Sequence, residues 1–433
     1  MSLTNATREP RILAIADREV GLGDVAAAAD RGLRLTLSDD AAWRKRLEDG
    51  RKALERALSA GHPVYGVTTG VGNDANRRIA AADTQSFAYQ IIRQHGCGLG
   101  APFSPAEGRA ILFTRLVSLA KGCSAVRPEL LQALCDLINH DVIPVIPSLG
   151  SVGASGDLTP LSYVAAVLAG EREVYFRGEV LPARSALTRA GLVPHPFAPK
   201  ESLAIMNGTS VMTALGALVC RRLKRFLNLC QRTAALSLEL LYGRSLALHP
   251  KAHEFKGHPG QTAAADAIRT AIQGSGLVDK GKPDGRIIQD PYSLRCAPQV
   301  IGASRDALAW AEAVLARELN SANDNPLVDP ESGEVLFAGN FYGGHVALAM
   351  DLLKNAAATT ADLLDRQFAL LVDSRLNMGL PENLVGYQGC GLKALQLTTS
   401  ALTARCIQRA APDATLSRPT EVHNQDKVSM GLN

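Results

Sequence analysis

From Ser104 onward, long stretches with apolar residues every three to four positions alternate with short polar breaks marked by glycine and proline. "SPAEGRAILFTRLVSLAKG" opens with Ser104 at the N-cap, Pro105 at the first helical position and Glu107 completing a capping box, so the start of this helix is well specified. "TSVMTALGALVCRRLKRFLNLCQRTAALSLELLYG" runs from Thr209 to Gly243 without a proline. Unbroken, it predicts a helix on the order of 50 Å long. Similar patterns predict helices over residues 302–322, 344–374 and 391–411. Ala and Leu occupy more than one face of each, so each needs several neighbours to cover it, which is the composition of a bundle. Two short hairpins interrupt: "EVYFRGEVLP" (173–182), turning at Arg177-Gly178, and "LVDPESGEVLF" (327–337), turning through Pro330 to Gly333. The expected architecture is mainly α, with a loop-rich N-terminal domain over residues 1–205 and a central bundle of long helices over 206–433.

Composition narrows the class. The 433 residues are 46% hydrophobic and 20% charged, as in a soluble globular protein. Lys plus Arg exceed Asp plus Glu by 46 − 42 = 4, and the basic residues are scattered, so no nucleic-acid footprint is expected. The eight cysteines form no C-x-x-C pair and fit free thiols in a reducing compartment. No signal-peptide pattern opens the chain and no uncharged apolar run reaches membrane-spanning length. The expectation is a cytoplasmic protein with a small-molecule partner and no membrane association.

The candidate chemistry lies in the breaks. "GSVGASGD" (Gly150 to Asp157) is glycine-rich but has the spacing of neither a dinucleotide loop nor a Walker loop. Ser155 does not sit in the G-x-S-x-G pattern of a hydrolase nucleophile. A tight turn in which glycine supplies positive φ is the plainest reading. Other polar loops accompany it: "VYGVTTGVG" with Tyr65, "IMNGTS" with Asn207, "IIQDPYSLRCAPQ" with Gln289, Tyr292 and Arg295, "GNFYGGH" with Asn340 and Phe341, and "EVHNQDKVSMG" with Glu421, Asn424 and Gln425. Singly these are caps, turns or satisfied core groups; five in one helical chain suggest a site. Arg295 offers a bidentate fork for a carboxylate. Tyr65 and Tyr292 are candidate proton movers if cationic or dipolar neighbours lower their pKa. His249, His253 and His258 have a ligand-like look, but Pro250 and Pro259 break the helix that would present them together, so no metal is expected.

The stretches "YGVTTGVG", "GSVGASGDLTPLSY", "MNGTS", "HPGQ", "QDPYSLRCAPQ", "NDNPL", "GNF" and "NQDKVSMG" follow one another from about residue 60 to the end. In this set and order the chain strongly resembles the aromatic amino acid ammonia-lyases, the histidine, phenylalanine and tyrosine enzymes and the related aminomutases. The resemblance implies a helical bundle of the ammonia-lyase and aspartase-fumarase type. It also implies a methylidene-imidazolone cofactor, formed when Ala154-Ser155-Gly156 cyclises on itself and Ser155 loses water. Small residues suit that reaction: Gly156 gives an unhindered nitrogen, Ala154 an open carbonyl and Ser155 a leaving group. By the same resemblance Tyr65 removes the β-proton, while Asn207, Gln289 and Tyr292 shape the cofactor and amine site. Arg295 clamps the carboxylate, Asn325 and Phe341 line the pocket, and Glu421, Asn424 and Gln425 close it. Family members assemble as homotetramers with active sites shared between subunits, and the same is expected here.

Resemblance places Gln94 and His95 against the substrate ring. A polar pair satisfies a phenol hydroxyl or an imidazole N–H and is wasted on a phenyl ring. Histidine lyases carry "NQEDHVSMG" where this chain has "NQDKVSMG", so tyrosine, giving p-coumarate, is the expected substrate, with histidine, giving urocanate, next. An aminomutase keeping the same cofactor, an inactive helical scaffold and, more remotely, a serine hydrolase are the alternatives. The chain stops at Asn433 just after this motif, where family members continue, so part of the C-terminal region is expected to be missing.

Overall fold

The computed structural model describes residues 9–280, 289–387, 389–418 and 424–432. The chain opens with β1 (Arg11–Ile15), α1 (Leu22–Ala29) and β2 (Leu33–Leu37), followed by α2 (Ala41–Ser59) and α3 (Thr84–His95). Next come β3 (Leu99–Pro102), α4 (Pro105–Leu119), α5 (Pro128–Asn139), β4 (Ile143–Pro144), β5 (Pro147–Leu149) and α6 (Leu158–Leu168). The hairpin β6 (Glu173–Phe176) and β7 (Glu179–Pro182) leads to α7 (Ala183–Ala190), α8 (Glu201–Met206) and the 31-residue α9 (Ser210–Leu240). Beyond it lie α10 (Pro250–Lys256), α11 (Pro259–Ala271), α12 (Tyr292–Arg295) and α13 (Ala297–Leu319). The hairpin β8 (Leu327–Val328) and β9 (Val335–Leu336), α14 (Gly344–Val372) and α15 (Lys393–Gln408) complete the order.

Contacts group these elements into two compact units. One comprises residues 1–218, 314–348 and 413–433, the other residues 219–313 and 349–412.

In the first unit α4 is the buried axis. Ser104 and Glu107 exchange the two capping-box hydrogen bonds at its start, and every residue from Gly108 to Leu119 is buried. Its apolar faces meet α1 and α5, with Leu112, Phe113 and Leu116 at the centre of the largest core cluster. A fully buried leucine or phenylalanine contributes about 1.5–3 kcal/mol, so this one helix anchors the unit. The parallel pair β1 and β2, crossed over by α1, is not visible in the apolar pattern, because five-residue strands are too short to separate from loop by periodicity. The first hairpin turns where expected, with Arg177 at φ 52° and Gly178 at φ 87°, the double positive φ of a tight hairpin turn.

In the second unit the helix expected to begin near residue 302 begins at Ala297. Gly302 is not its start but a packing position: a Cβ there would lie 2.3 Å from the Cα of Gln261 on α11. Two of the three clustered histidines are held by hydrogen bonds. Gln261 donates to His253 Nδ1 at 2.9 Å, His253 Nε2 donates to the Ala247 carbonyl at 3.1 Å, and His249 Nδ1 accepts from the Lys251 N–H at 3.2 Å. Among the described residues no helix is long and apolar enough to cross a membrane.

Candidate active site

The glycine-rich loop is wound into a compressed turn. Gly153 and Gly156 pair across it, and Gly156 in turn pairs with Gly208. Ser155 adopts φ 53° and Gly156 φ 73°, so two of the three residues of the tripeptide lie in the left-handed region that only glycine enters freely. Three hydrogen bonds hold it: Asp157 N–H to Gly208 O at 2.7 Å, Gly208 N–H to Ser155 O at 3.2 Å, and Ser151 Oγ to Gly156 O at 3.2 Å. No side chain fits at Gly156, where a Cβ would lie 2.2 Å from the Gly208 carbonyl oxygen.

Beneath the turn lies a buried polar layer that the sequence does not reveal. Asp157 Oδ2 accepts the N–H groups of Val211 and Met212 at 2.9 and 3.0 Å, capping the otherwise unsatisfied N-terminus of α9. Burial pushes its carboxyl up to about 7, against those two N–H groups and the charge of Arg115. Arg115, on α4, is completely buried, and that burial pulls its guanidinium down to about 10. It donates to Asn323 Oδ1 and the Asn207 carbonyl at 2.8 Å each, and to the Ala204 carbonyl. This fixes Asn207 where α8 ends. Among the described residues Asn207 Oδ1 itself is buried without a hydrogen-bond partner.

Ser155 sits where two cavities meet. A cavity of about 290 Å³ is lined by Tyr65, Asp74, Arg77, Phe87, Ile91, Gln94, His95, Leu158, Leu203 and Asn207. The second, of about 790 Å³, is lined by Tyr65, Ala154, Asn325, Phe337, Phe341, Asn424 and Lys427. Ser155 and Gln425 line both. Tyr65 Oη accepts the Gly72 N–H at 2.9 Å, and Asn424 Nδ2 donates to the Gly72 carbonyl at 3.3 Å, so the tyrosine loop and the C-terminal segment meet at one residue. Asn325 Oδ1 accepts the Ala338 N–H at 2.8 Å. His95 Nδ1 lies 2.9 Å from the Ile91 carbonyl. A carbonyl only accepts, so Nδ1 carries the proton and the neutral ring keeps Nε2 as an acceptor. Among the described residues no histidine bonds the Ser155 hydroxyl, so a serine-hydrolase arrangement finds no base.

Of the sequence-derived candidates, the structure thus gathers Tyr65, Gln94, His95, Ala154, Ser155, Asn207, Asn325, Phe341, Asn424 and Gln425 around the two cavities, with Gly156 closing the turn beneath them. Gln289, Tyr292 and Arg295 belong to the second unit. There Tyr292 is 72% exposed and Arg295 stacks on its ring at 4.6 Å while donating to the Asp290 carbonyl at 3.1 Å. Asn340 is exposed and donates to the Ala322 carbonyl at 3.1 Å. Glu421 lies outside the described residues. Asp74, Arg77, Phe87 and Lys427 are lining residues that the motif reading missed, and Arg115 and Asp157 are missed supports. A lone arginine inside the apolar run of α4 was the available signal for Arg115.

A helical fold whose compressed Ala-Ser-Gly turn faces a tyrosine across a polar cavity defines a class, and comparison with known proteins agrees. The aromatic amino acid lyase family model matches residues 20–433, and the chain belongs to that family. It is 41% identical over 415 residues to the histidine ammonia-lyase of Gloeobacter violaceus, covering 95% of this chain and 80% of the relative. Among solved structures it resembles the tyrosine aminomutase of Streptomyces globisporus, with 34% identity and TM-score 0.90 over 97% of this chain and 83% of that one. It also resembles the histidine ammonia-lyase of Trypanosoma cruzi, with 30% identity and TM-score 0.87 over 98% and 79%. The family makes the chain a carbon–nitrogen lyase by class. The curated relatives carry the histidine name, and the preference for tyrosine expected from Gln94 and His95 finds no support in them.

Proposed function

We propose that this chain is an aromatic L-amino acid ammonia-lyase that converts L-histidine to trans-urocanate and ammonia. The observation that carries the reading is the compressed Ala154-Ser155-Gly156 turn, set opposite Tyr65 where the two cavities meet. That turn fits the precursor of methylidene-imidazolone, which would supply an electrophile for the substrate amine and so a better leaving group than ammonium. Tyr65 is placed to take the β-proton, its hydroxyl oriented by the Gly72 N–H that donates to its oxygen. Asn207 Oδ1, buried and without a partner among the described residues, is the natural acceptor for the substrate amine. His95 Nε2 is suited to accept an imidazole N–H, and the histidine names of the relatives tip the choice from a phenol to an imidazole. The missing residue in "NQDKVSMG" is the feature that keeps tyrosine as second substrate. A homotetramer with composite sites is part of the same reading; Gln289, Tyr292 and Arg295 fall in the second unit and the tripeptide in the first.

The likeness to an aminomutase favours one other outcome, return of ammonia to the β-carbon, which depends on how long the site retains the olefin and the amine. Incubation with L-histidine, L-tyrosine and L-phenylalanine in turn, following the ultraviolet absorption of the conjugated acid and analysing for β-amino acid, separates these readings. Urocanate from histidine is expected, with an intact mass about two waters below the encoded value. Ser155→Ala is expected to abolish both. An unmodified mass with no product from any of the three amino acids would overturn the proposal.

A further inference from the structure

Gly153 and Gly156 pair across the compressed turn, and each is backed by a different part of the chain. Gly156 lies against Gly208, just before α9. Gly153 lies against the C-terminal motif: a Cβ there would stand 2.1 Å from Ser429 Oγ and 2.9 Å from the Met430 nitrogen. The Met430 N–H also donates to the Val152 carbonyl at 3.0 Å, so the motif holds the turn by a hydrogen bond as well as by contact. Ser429 is buried, and its Oγ accepts the Gly431 N–H at 3.4 Å. Behind it Gly431 and Gly343 pack on Met212, where a Cβ on either would lie 2.6 and 2.2 Å from Sδ. Met212 in turn donates its N–H to Asp157. Both supports of the turn therefore bear on the start of α9, and every one of these contacts lies inside one chain and inside the first unit.

We propose that Ser429 and Met430 are positioning residues for closure of the tripeptide ring, which waits until the C-terminal motif has docked on Gly153. The inference rests on the reading of Ala154-Ser155-Gly156 as a cofactor precursor. Closure forms a bond from the Gly156 nitrogen to the Ala154 carbonyl carbon. The Ala154 oxygen leaves as water with the amide protons of Gly156 and Ser155, and the Ser155 hydroxyl leaves as a second water with its Cα proton, so no oxidant or other reactant is consumed. An amide nitrogen is a poor nucleophile and an amide carbonyl a poor electrophile, so the rate depends on how firmly the two atoms are held together. A free glycine-rich loop spends little time in a turn with positive φ at both Ser155 and Gly156. Gly208 restrains one end of that turn, and Ser429 with Met430 restrains the other. The motif stands far along the chain from the tripeptide, so the electrophile forms in a chain whose first unit has assembled and not on an unfolded one.

The test is the intact mass of newly made full-length chain, sampled over time during cell-free synthesis, for the unsubstituted protein and for Ser429→Cys, Ser429→Ala and Ser429→Gly. The loss of two waters is expected to slow as the group against Gly153 shrinks. Ser429→Cys keeps an atom at the Oγ position and is expected to stay within about threefold of the unsubstituted rate, Ser429→Gly to be slower by about tenfold or more, and Ser429→Ala to fall between them. Urea midpoints of the same chains separate the clamp from general stability. Should Ser429→Gly fail to fold, the difference between Ser429→Cys and Ser429→Ala decides. Equal rates in all the chains, or rates that follow the urea midpoints instead of the size of the side chain, would overturn the proposal. The two readings fail differently. An unsubstituted protein that keeps its encoded mass removes the cofactor reading and this inference with it, whereas equal loss of two waters in every chain removes the clamp alone.

Discussion

Asp157 illustrates how one residue links the modified turn to the stability of the fold. Its carboxyl caps α9 through Val211 and Met212, yet burial raises it from 3.8 to about 7. Between those two values the folded state binds a proton that the unfolded state has released. The sign follows: stability falls as pH rises through the window, by up to about 1.4 kcal/mol per pH unit for one proton. Asparagine at this position still offers a carbonyl to both N–H groups but has no proton to lose. Asp157→Asn is therefore expected to show a flatter stability profile than the unsubstituted protein from about pH 4 to 7, measured by urea denaturation. Parallel profiles would show that the carboxyl is ionised throughout. The neighbouring tripeptide was legible in sequence because its chemistry is carried by three residue types in a fixed order. Arg115 and Asp157 were not, because their partners stand far along the chain, at Asn323 and at Val211 and Met212.

At the scale of elements, the same distinction separates what periodicity finds from what it misses. α9, α14 and α15 are long enough for the apolar pattern to repeat several times, and their positions follow from it. What sets α8, and with it Asn207, is an ionic anchor invisible to pattern. Glu201, wholly buried at the start of α8, accepts from Arg127 Nη2 at 2.8 Å and Nε at 2.9 Å, from the Ala198 N–H at 2.9 Å, and pairs with His195 at 3.0 Å. Burial alone would raise its carboxyl, but the bonds from Arg127, His195 and Ala198 outweigh it and hold the group down to about 2. Here the sign is opposite to that of Asp157: the contribution is present above the ordinary value of 4.5 and is lost as pH falls towards 2. Glu201→Gln keeps the shape but leaves Arg127 facing a neutral amide. The expected loss is about 2–4 kcal/mol in urea denaturation at neutral pH, with Asn207 displaced and turnover reduced. Unchanged stability would mean that packing of α8 on α6 and α3 alone holds it.

The division of the candidate residues governs the whole molecule. Tyr65 and the tripeptide stand in one unit, while Tyr292 and Arg295 stand in the other, stacked together, the tyrosine exposed and the arginine half-buried. An exposed tyrosine and a half-buried arginine stacked at 4.6 Å are the pair that the proposed homotetramer would bring to a site on another copy of the chain. If each site draws Tyr65 from one chain and Arg295 from another, chains carrying Tyr65→Phe and chains carrying Arg295→Ala are each inactive alone. Co-expressed, they assemble some sites in which the intact Tyr65 and the intact Arg295 come from different partners. Random mixing leaves about one site in four unsubstituted, so recovery of roughly a quarter of full activity is expected. A site built within a single chain gives none, because every chain in the mixture carries one of the two changes. Steady-state turnover of the co-purified mixture, with its mass in solution measured in parallel, decides between the two. Recovery requires an oligomer with exchanged site residues, whereas an inactive mixture of the same mass would return Arg295 to the chain that holds its own Tyr65.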